Sequence, residues 1–270
     1  MINEEKSGKK RCASLSLSLF LSLSFSLFLS LSLLSLSFSL SLFLSLCGPR
    51  GYIMVNYTAL VETLFMLFPD EEPYSDSGPD RCRLCALVGN SGNLEGSHYG
   101  PLIDAHDFVI RMNTGPTKGY EKDVGSKTTH RAIYPESAVD MDNSTHLVLV
   151  PFKVLDLISA NLAFKTVLCF FFCCLLLKVM ILHPEFITYV YTKWLQKQGK
   201  YPSTGFLMLV FSLHICDQVN VFGFGARKDG SWHHYFDKRY GIFHNTPEHK
   251  GSVEFDIIEE LHLLNKIHLL

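Results

Sequence analysis

The chain has 270 residues, and its 24 basic and 26 acidic side chains give a formal net charge of −2. This balance provides no global basic field, which argues against nucleic acid as the main partner. A low-complexity N-terminal part leaves roughly 200 residues for folding, which is enough for one domain with a sizeable core.

The first element is an uncharged run over residues 13–47, in which Ser and Leu alternate with interspersed Phe. Spanning a bilayer takes about 20 apolar residues, and this run is long enough. The basic cluster Lys9-Lys10-Arg11 before it predicts a cytoplasmic tail over residues 1–12. A translated CT-dinucleotide repeat would produce the same alternation. Two interpretations therefore stay open: a type II signal anchor with the rest of the chain in the lumen, or a gene-prediction error.

Residues 48–80 are predicted to form a short stem or linker. Helical apolar spacing over residues 57–68 predicts a short helix, and residues 69–80 are rich in acidic residues, Pro, Ser and Gly. Two Asn-x-Ser/Thr triplets begin at Asn56 and Asn143, and the chain has eight cysteines. These features favour the oxidising, glycosylating lumen of the secretory pathway, with glycans on both asparagines.

Residues 81–270 alternate between apolar strand-like runs and helix-like stretches. The strand-like runs cover residues 86–88, 108–110, 147–150 and 219–222, and the helix-like stretches cover residues 185–196 and 206–214. Such alternation predicts a single α/β domain with a mostly parallel sheet.

The first block with chemical potential is Gly89-Asn90-Ser91-Gly92-Asn93, which follows the first strand-like run. A Gly-rich turn before a helix lets backbone N–H groups approach a phosphate. The sequence is not GxGxxG, so on these residues alone an ordinary strand-to-helix turn is the better explanation. The second block, Tyr201-Pro202-Ser203-Thr204-Gly205, precedes an apolar helix. Its hydroxyls either cap that helix or help to hold a carboxylate or phosphate.

The third block is Trp232-His233-His234-Tyr235, and it is followed by His249. A histidine whose pKa lies near neutrality suits a general base that takes a proton from a sugar hydroxyl. Adjacent histidines on a surface turn are more often solvated or structural, so the block is ambiguous in isolation.

Taken together, these blocks resemble the L, S and small C-terminal motifs of the animal sialyltransferases, in the same order and with similar spacing. The L-type block covers residues 82–136 and the S-type block covers residues 201–225. The third motif corresponds to residues 233–236, and the last pairs His249 with Glu254. Val150-Pro151-Phe152-Lys153 and the Tyr201 block are similar to the β-galactoside α-2,3 subgroup that acts on Galβ1-3GalNAc.

The resemblance implies a GT-A-like, Rossmann-related fold, CMP-sialic acid as donor, a galactose-terminated glycan as acceptor, and a Golgi membrane location. It implies inversion in a single displacement, without cofactor or divalent metal. His249 would be the general base, His234 would stabilise the leaving phosphate, and Asn90 and Asn113 would contact the nucleotide. The other implied binding residues are Tyr134, Tyr201, Ser203, Thr204, Gly205, Gly225 and Trp232. Cys85 and Cys216 match the pair that forms a disulfide in the family.

Three features depart from the family pattern or compete with it. Asp140-Met141-Asp142 has the DxD form of metal-using glycosyltransferases, but its place before a strand favours a loop. Residues 159–177 are unusually apolar and are open to interpretation as a buried strand or helix, an exposed patch or translated intron. Cys82 lacks the upstream cysteine with which it would normally pair. The alternatives to an active enzyme are therefore an impaired relative that binds CMP or a glycan without transfer, or a defective gene model.

Overall fold

The computed structural model describes residues 56–68, 74, 82–170, 178–227, 230–237 and 249–270. The predicted tail and Ser/Leu run, over residues 1–47, lie outside the described residues, as does most of the linker. Asn56 to Leu270 form one compact unit.

Within the described residues, seven strands form a single sheet in which every neighbouring pair is parallel. The order across the sheet is β5-β4-β3-β2-β1-β6-β7. The α/β prediction is confirmed, and all four predicted strands are present, as β1, β2, β4 and β6. The strands are β1 (Leu84–Val88), β2 (Phe108–Met112), β3 (His130–Ile133), β4 (His146–Leu149), β5 (Val179–Ile181), β6 (Gln218–Phe222) and β7 (His268–Leu269).

Helices connect the strands and cover the sheet. The short helix predicted in the linker is confirmed as α1 (Tyr57–Phe65). The first predicted helix of the domain is confirmed as α5 (Pro184–Tyr189), which continues into the π-helical turn Val190–Trp194. The second is confirmed as α6 (Thr204–Ile215). None of the helices in the described ranges combines the length and the apolar character that crossing a bilayer requires. The helices are α1 (Tyr57–Phe65), α2 (Gly100–Asp104), α3 (Glu121–Val124), α4 (Val154–Phe170), α5 (Pro184–Tyr189), α6 (Thr204–Ile215) and α7 (Gly251–Leu263).

The direction of strand addition reverses beside β1. Strands β2 to β5 are added successively on one side of β1, and the chain then returns to place β6 on the other side. In open parallel sheets the connections leave the two central strands in opposite directions at such a reversal. A crevice therefore opens beyond the carboxyl ends of β1 and β6, which is where ligands bind in this class of fold.

Helix α6 packs against this centre of the sheet. Its residues 206–210 are fully buried, and they contact the core residues of β1, β2 and β6. A helix that is apolar on all sides must be covered on all sides, so α6 lies inside the domain rather than on its surface. Its N-terminus is thereby held close to the crevice.

Arg111 is a buried cation under the L-type block. It is 2% exposed, and it donates hydrogen bonds to the carbonyls of Val124 and Lys127 and to the Thr128 hydroxyl. Burial lowers the pKa of the Arg111 guanidinium to about 10. Because a buried donor without a partner is costly, these acceptors fix the loop after α3 against β2.

Two of the ambiguous segments are resolved in the described residues. The apolar segment begins within α4, whose Leu157 and Ala160 are buried against α1 while Leu162 is exposed. Residues 171–177 lie outside the described residues. In the DxD string, the Asp142 carboxylate accepts backbone hydrogen bonds from Ser144 and Thr145, so the loop interpretation is confirmed. Across the described ranges, no three His, Cys, Asp or Glu side chains are grouped to hold a metal ion.

The disulfide implied by the resemblance is present between Cys85 on β1 and Cys216 after α6. The two cysteines are 131 positions apart in the sequence. The bond joins the L-type and S-type blocks beside the β1–β6 pair. Cys82 has an exposed free thiol in the described part of the chain.

Replacing both Cys85 and Cys216 by Ala is expected to lower the free energy of unfolding by about 3–5 kcal/mol, because the bridge restricts a long loop in the unfolded chain. Urea unfolding of the oxidised wild type and the double variant measures the difference. Cys82→Ala is the control and should stay within about 0.5 kcal/mol of wild type. Equal stability of the double variant and wild type would contradict a structural role for the bond.

Candidate active site

A cavity of about 740 Å³ lies at the carboxyl edge of the sheet, where β1, β2, β3, β4 and β6 end. The structure brings all eleven predicted catalytic and binding residues to this one cavity, although they come from seven separate parts of the chain. They are Asn90, Asn113, Tyr134, Tyr201, Ser203, Thr204, Gly205, Gly225, Trp232, His234 and His249. A second cavity of about 530 Å³, between the π-helical turn and α7, contains none of them.

Bare backbone forms the part of the cavity next to β1 and β6. The Gly89 N–H donates to Phe222 O at 2.7 Å, and the Ser91 N–H donates to Gly223 O at 3.0 Å. A Cβ on Gly89 would lie 2.2 Å from Gly223 O, so a side chain there would separate the two loops. Gly225 has φ +82°, and a Cβ on it would lie 2.4 Å from the Phe255 ring. Both positions therefore require glycine, and a ligand can approach the main chain closely.

Asn113 is held in one orientation after β2. It has φ +52°, a left-handed conformation that Asn tolerates better than most residues. Its N–H donates to Ala132 O at 2.8 Å, and its Oδ1 accepts from the Ser137 hydroxyl at 2.9 Å. With Oδ1 engaged, the side-chain amide nitrogen is the group that Asn113 offers as a donor in the cavity. Asn90 is arranged the opposite way, because its Nδ2 donates to Met112 O at 3.3 Å and its Oδ1 remains as an acceptor.

The Tyr201 block ends at the N-terminus of α6. The Ser203 hydroxyl accepts from the Phe206 N–H at 3.1 Å, so the capping interpretation holds for Ser203. Thr204 and Gly205 carry the first two N–H groups of α6, which have no acceptor within the helix. These groups and the helix dipole favour an anion at this end of the cavity.

Glu254 is a buried carboxyl that joins two parts of the site. Its Oε1 accepts from the Ser203 N–H at 2.7 Å, and its Oε2 accepts from the Ser203 hydroxyl at 2.5 Å. Burial raises the pKa of Glu254, and the Ser203 hydrogen bonds and nearby His249 act in the opposite direction. The sequence analysis recorded Glu254 only by its spacing from His249. Its partner lies 51 residues away, so only the fold reveals what it does.

His249 lies just before α7 and contacts the Tyr201 block. Its Nδ1 lies 3.1 Å from Tyr201 O, and the two rings meet edge to face with centroids 4.8 Å apart. A carbonyl can only accept, so Nδ1 carries the proton of the neutral ring and the lone pair lies on Nε2. This tautomer is the one that a general base requires.

His234 lies on the β1 side of the cavity. Its backbone bridges to Ser91, and its ring stacks on Phe236 with centroids 5.1 Å apart. Burial and the adjacent His233 lower the pKa of His234, whereas Asp237 opposes this shift. The ring is therefore kept neutral near pH 7, and one of its nitrogens carries an N–H that can donate a hydrogen bond.

Further residues line the cavity that the sequence did not place there, among them Glu136, Phe152, Lys153 and Asp156. Glu136 and Lys153 form an exposed ion pair at its rim. Phe152 and Lys153 appeared in the sequence only as part of a subgroup signature. Their place in the site depends on β4 ending beside β3, a pairing that the sequence did not reveal.

Comparison with known proteins gives a consistent result. The model of glycosyltransferase family 29 (sialyltransferase) matches residues 43–266. The Mus musculus protein named CMP-N-acetylneuraminate-beta-galactosamide-alpha-2,3-sialyltransferase 2 is 46% identical over 224 residues, which cover 79% of this chain and 64% of the mouse protein. This chain thus spans slightly less than two thirds of that relative's length.

Two solved structures are similar in both sequence and fold. A crystal structure of a mammalian sialyltransferase is 42% identical with a TM-score of 0.70, covering 82% of this chain and 81% of that chain. A crystal structure of a mammalian sialyltransferase in complex with Gal-beta-1-3GalNAc-ortho-nitrophenol is 43% identical with a TM-score of 0.67, over the same shares of the two chains.

Glu254→Gln is expected to change how stability depends on pH. A raised pKa means that the folded state keeps the Glu254 proton at pH values where the unfolded chain has lost it. The free energy of unfolding of wild type should therefore fall, relative to that of the variant, as pH rises above about 4.5. Urea unfolding at several pH values between about 5 and 8 measures this. If the difference in the free energy of unfolding between wild type and Glu254→Gln stays constant over this pH range, the prediction is wrong.

Proposed function

Because the chain belongs to glycosyltransferase family 29, the sialyltransferases, we propose that it transfers sialic acid from CMP-sialic acid to the 3-hydroxyl of a terminal galactose, as in Galβ1-3GalNAc. The observation that carries the proposal is the convergence of all eleven implied residues on one cavity at the sheet reversal. The acceptor is supported by the related structure with Gal-beta-1-3GalNAc-ortho-nitrophenol.

The donor fits the side of the cavity near β1 and β6. CMP-sialic acid is an anion, and the chain has a net charge of −2, so local donors must hold it. The first N–H groups of α6, at Thr204 and Gly205, suit a phosphate or carboxylate. Asn90 and Asn113 offer an acceptor and a donor, which suits the polar edge of a pyrimidine base.

The reaction is a single displacement. The galactose 3-oxygen attacks the anomeric carbon of sialic acid, the bond from that carbon to the CMP phosphate oxygen breaks, and the configuration inverts. His249 Nε2 takes the proton of the attacking hydroxyl, since Nδ1 is engaged with Tyr201 O. His234 donates an N–H to the leaving phosphate. Glu254 keeps the base in place by joining the start of α7 to the start of α6.

The cellular setting follows from the same proposal. Residues 13–47 would anchor a type II protein in the Golgi membrane, with the described domain in the lumen. Its partners would be the donor, galactose-terminated glycans and the membrane, with no nucleic acid. Asn56 and Asn143 are both exposed, so both could accept a glycan. The Asn56 Oδ1 caps α1 by accepting from the Ala59 N–H, and a glycan on Nδ2 leaves that oxygen in place.

His249→Ala is expected to lower kcat for transfer from CMP-sialic acid to Galβ1-3GalNAc by about 10²–10⁴-fold, since the hydroxyl loses its base. Affinity for CMP should stay near the wild-type value. The assay is transfer by the purified full-length chain, and His214→Ala, an exposed histidine outside the cavity, is the control. CMP binding by a folded wild-type chain without any transfer would instead favour the binding-only alternative.

Expression in a secretory host is expected to add glycans at both sequons. Asn56→Gln and Asn143→Gln should each remove one glycan, which appears as a discrete drop in mass that enzymatic deglycosylation abolishes. Asn265→Gln lies outside any sequon and should leave the mass pattern unchanged. Retention of every glycan in the double variant would overturn these two assignments.

A further inference from the structure

One side of the cavity is aromatic. The Tyr134 and Phe152 ring centroids are 6.1 Å apart, and those of Phe152 and Tyr201 are 5.0 Å apart. Tyr201 in turn contacts the His249 ring. Phe152 is therefore the middle ring of a row that ends at the general base. This row lies at the β3–β4 end of the cavity, whereas the backbone loops and amides of the donor side follow β1, β2 and β6.

Asp156 is a buried carboxyl beside this row. It lies in the first turn of α4, is 4% exposed, and accepts from the Lys153 N–H at 2.9 Å through Oδ2. The Phe152 N–H also stabilises the carboxylate, whereas burial and Glu136 raise its pKa. A carboxylate has about four acceptor positions, so capacity remains on the side that lines the cavity. The Lys153 ammonium does not occupy that capacity, because it pairs with Glu136.

An aromatic ring next to a buried acceptor matches the chemistry of a sugar. A hexose has an apolar face of C–H groups and a rim of hydroxyls. In galactose the axial 4-hydroxyl leaves the hydrogens on carbons 3, 4 and 5 together on one face, which packs on an aromatic ring. A neighbouring carboxylate can then accept hydrogen bonds from hydroxyls at the edge of the same sugar.

We propose that Phe152 and Asp156 determine acceptor selectivity. Phe152 packs against the C–H face of the terminal galactose, and Asp156 accepts a hydrogen bond from one of its hydroxyls. The inference rests on the proposed function for the identity of the reaction, but it makes a separate claim about which residues hold the acceptor. It assigns the galactose to the aromatic side of the cavity and so places its reacting hydroxyl beside His249.

Two substitutions test this assignment in the full-length protein. Phe152→Leu keeps an apolar side chain but removes the ring, and should raise KM for Galβ1-3GalNAc about three- to tenfold. Asp156→Asn keeps an oxygen that can accept from the Lys153 N–H, and should raise the same KM about tenfold or more. In both variants kcat and KM for CMP-sialic acid should stay within about twofold of wild type, because the donor side is unchanged.

Matched controls separate this role from general packing. Phe186→Leu changes a partly buried ring outside the cavity, and Asp123→Asn changes a loop-capping carboxylate; both should leave the acceptor KM unchanged. Phe152→Tyr keeps an aromatic ring at this position and should leave the KM for Galβ1-3GalNAc close to the wild-type value. Thermal unfolding measurements show whether each variant is folded. If Phe152→Leu does not fold, the acceptor KM values of Phe152→Tyr and Asp156→Asn still test the proposal.

Direct binding distinguishes this inference from the proposed function. Isothermal titration of Galβ1-3GalNAc into the CMP-saturated protein measures acceptor affinity without turnover. Weaker binding in both variants with no transfer by wild type would support the subsite and overturn the proposed reaction. Acceptor KM and Kd within about twofold of wild type in both folded variants would overturn the subsite. A parallel rise in KM for the donor would also overturn it, as would a wild-type chain that binds no disaccharide.

Discussion

The parallel pairing of β1 with β6 is the constraint on which the rest of the site depends. Five residues of each strand are in register, from Leu84 opposite Gln218 to Val88 opposite Phe222. The pair joins segments far apart in the sequence, and the Cys85–Cys216 bond closes the same junction. Because the sheet reverses here, the loops after both strands diverge and leave the crevice open. The glycines of those loops then let main chain pack on main chain where side chains would fill the space.

Glu254 provides the second link, between the two helices that begin at the cavity. Its carboxyl accepts hydrogen bonds from both the N–H and the hydroxyl of Ser203, which connect the start of α7 to the start of α6. His249 precedes α7 and contacts Tyr201, just ahead of α6. The N-terminus of α6 and the proposed base, His249, are thus held by one buried acid. Burial raises the pKa of that acid, and its two hydrogen bonds offset part of the cost of its charge.

The two sides of the cavity differ in chemistry, which suits a reaction between unlike substrates. Loops, amides and a helix N-terminus offer directed hydrogen bonds to a nucleotide, whereas aromatic rings and a carboxylate suit a neutral sugar. His249 lies at the aromatic side and His234 at the donor side. In the proposed reaction, the base and the donor to the leaving phosphate therefore come from the two different sides of the cavity.

The sequence by itself determined the fold class, four of the strands and eleven of the residues that line the cavity, because apolar periodicity and short motifs are local signals. It did not reveal β3, whose His130 and Arg131 are polar yet buried, or β7, which is only two residues long. It also left Ser203 ambiguous between cap and ligand, and gave no role to Phe152, Asp156 or Glu254. Those roles depend on partners brought together by strand order and helix packing. Only the tertiary structure decides such long-range contacts, since no local preference specifies which distant residues will meet.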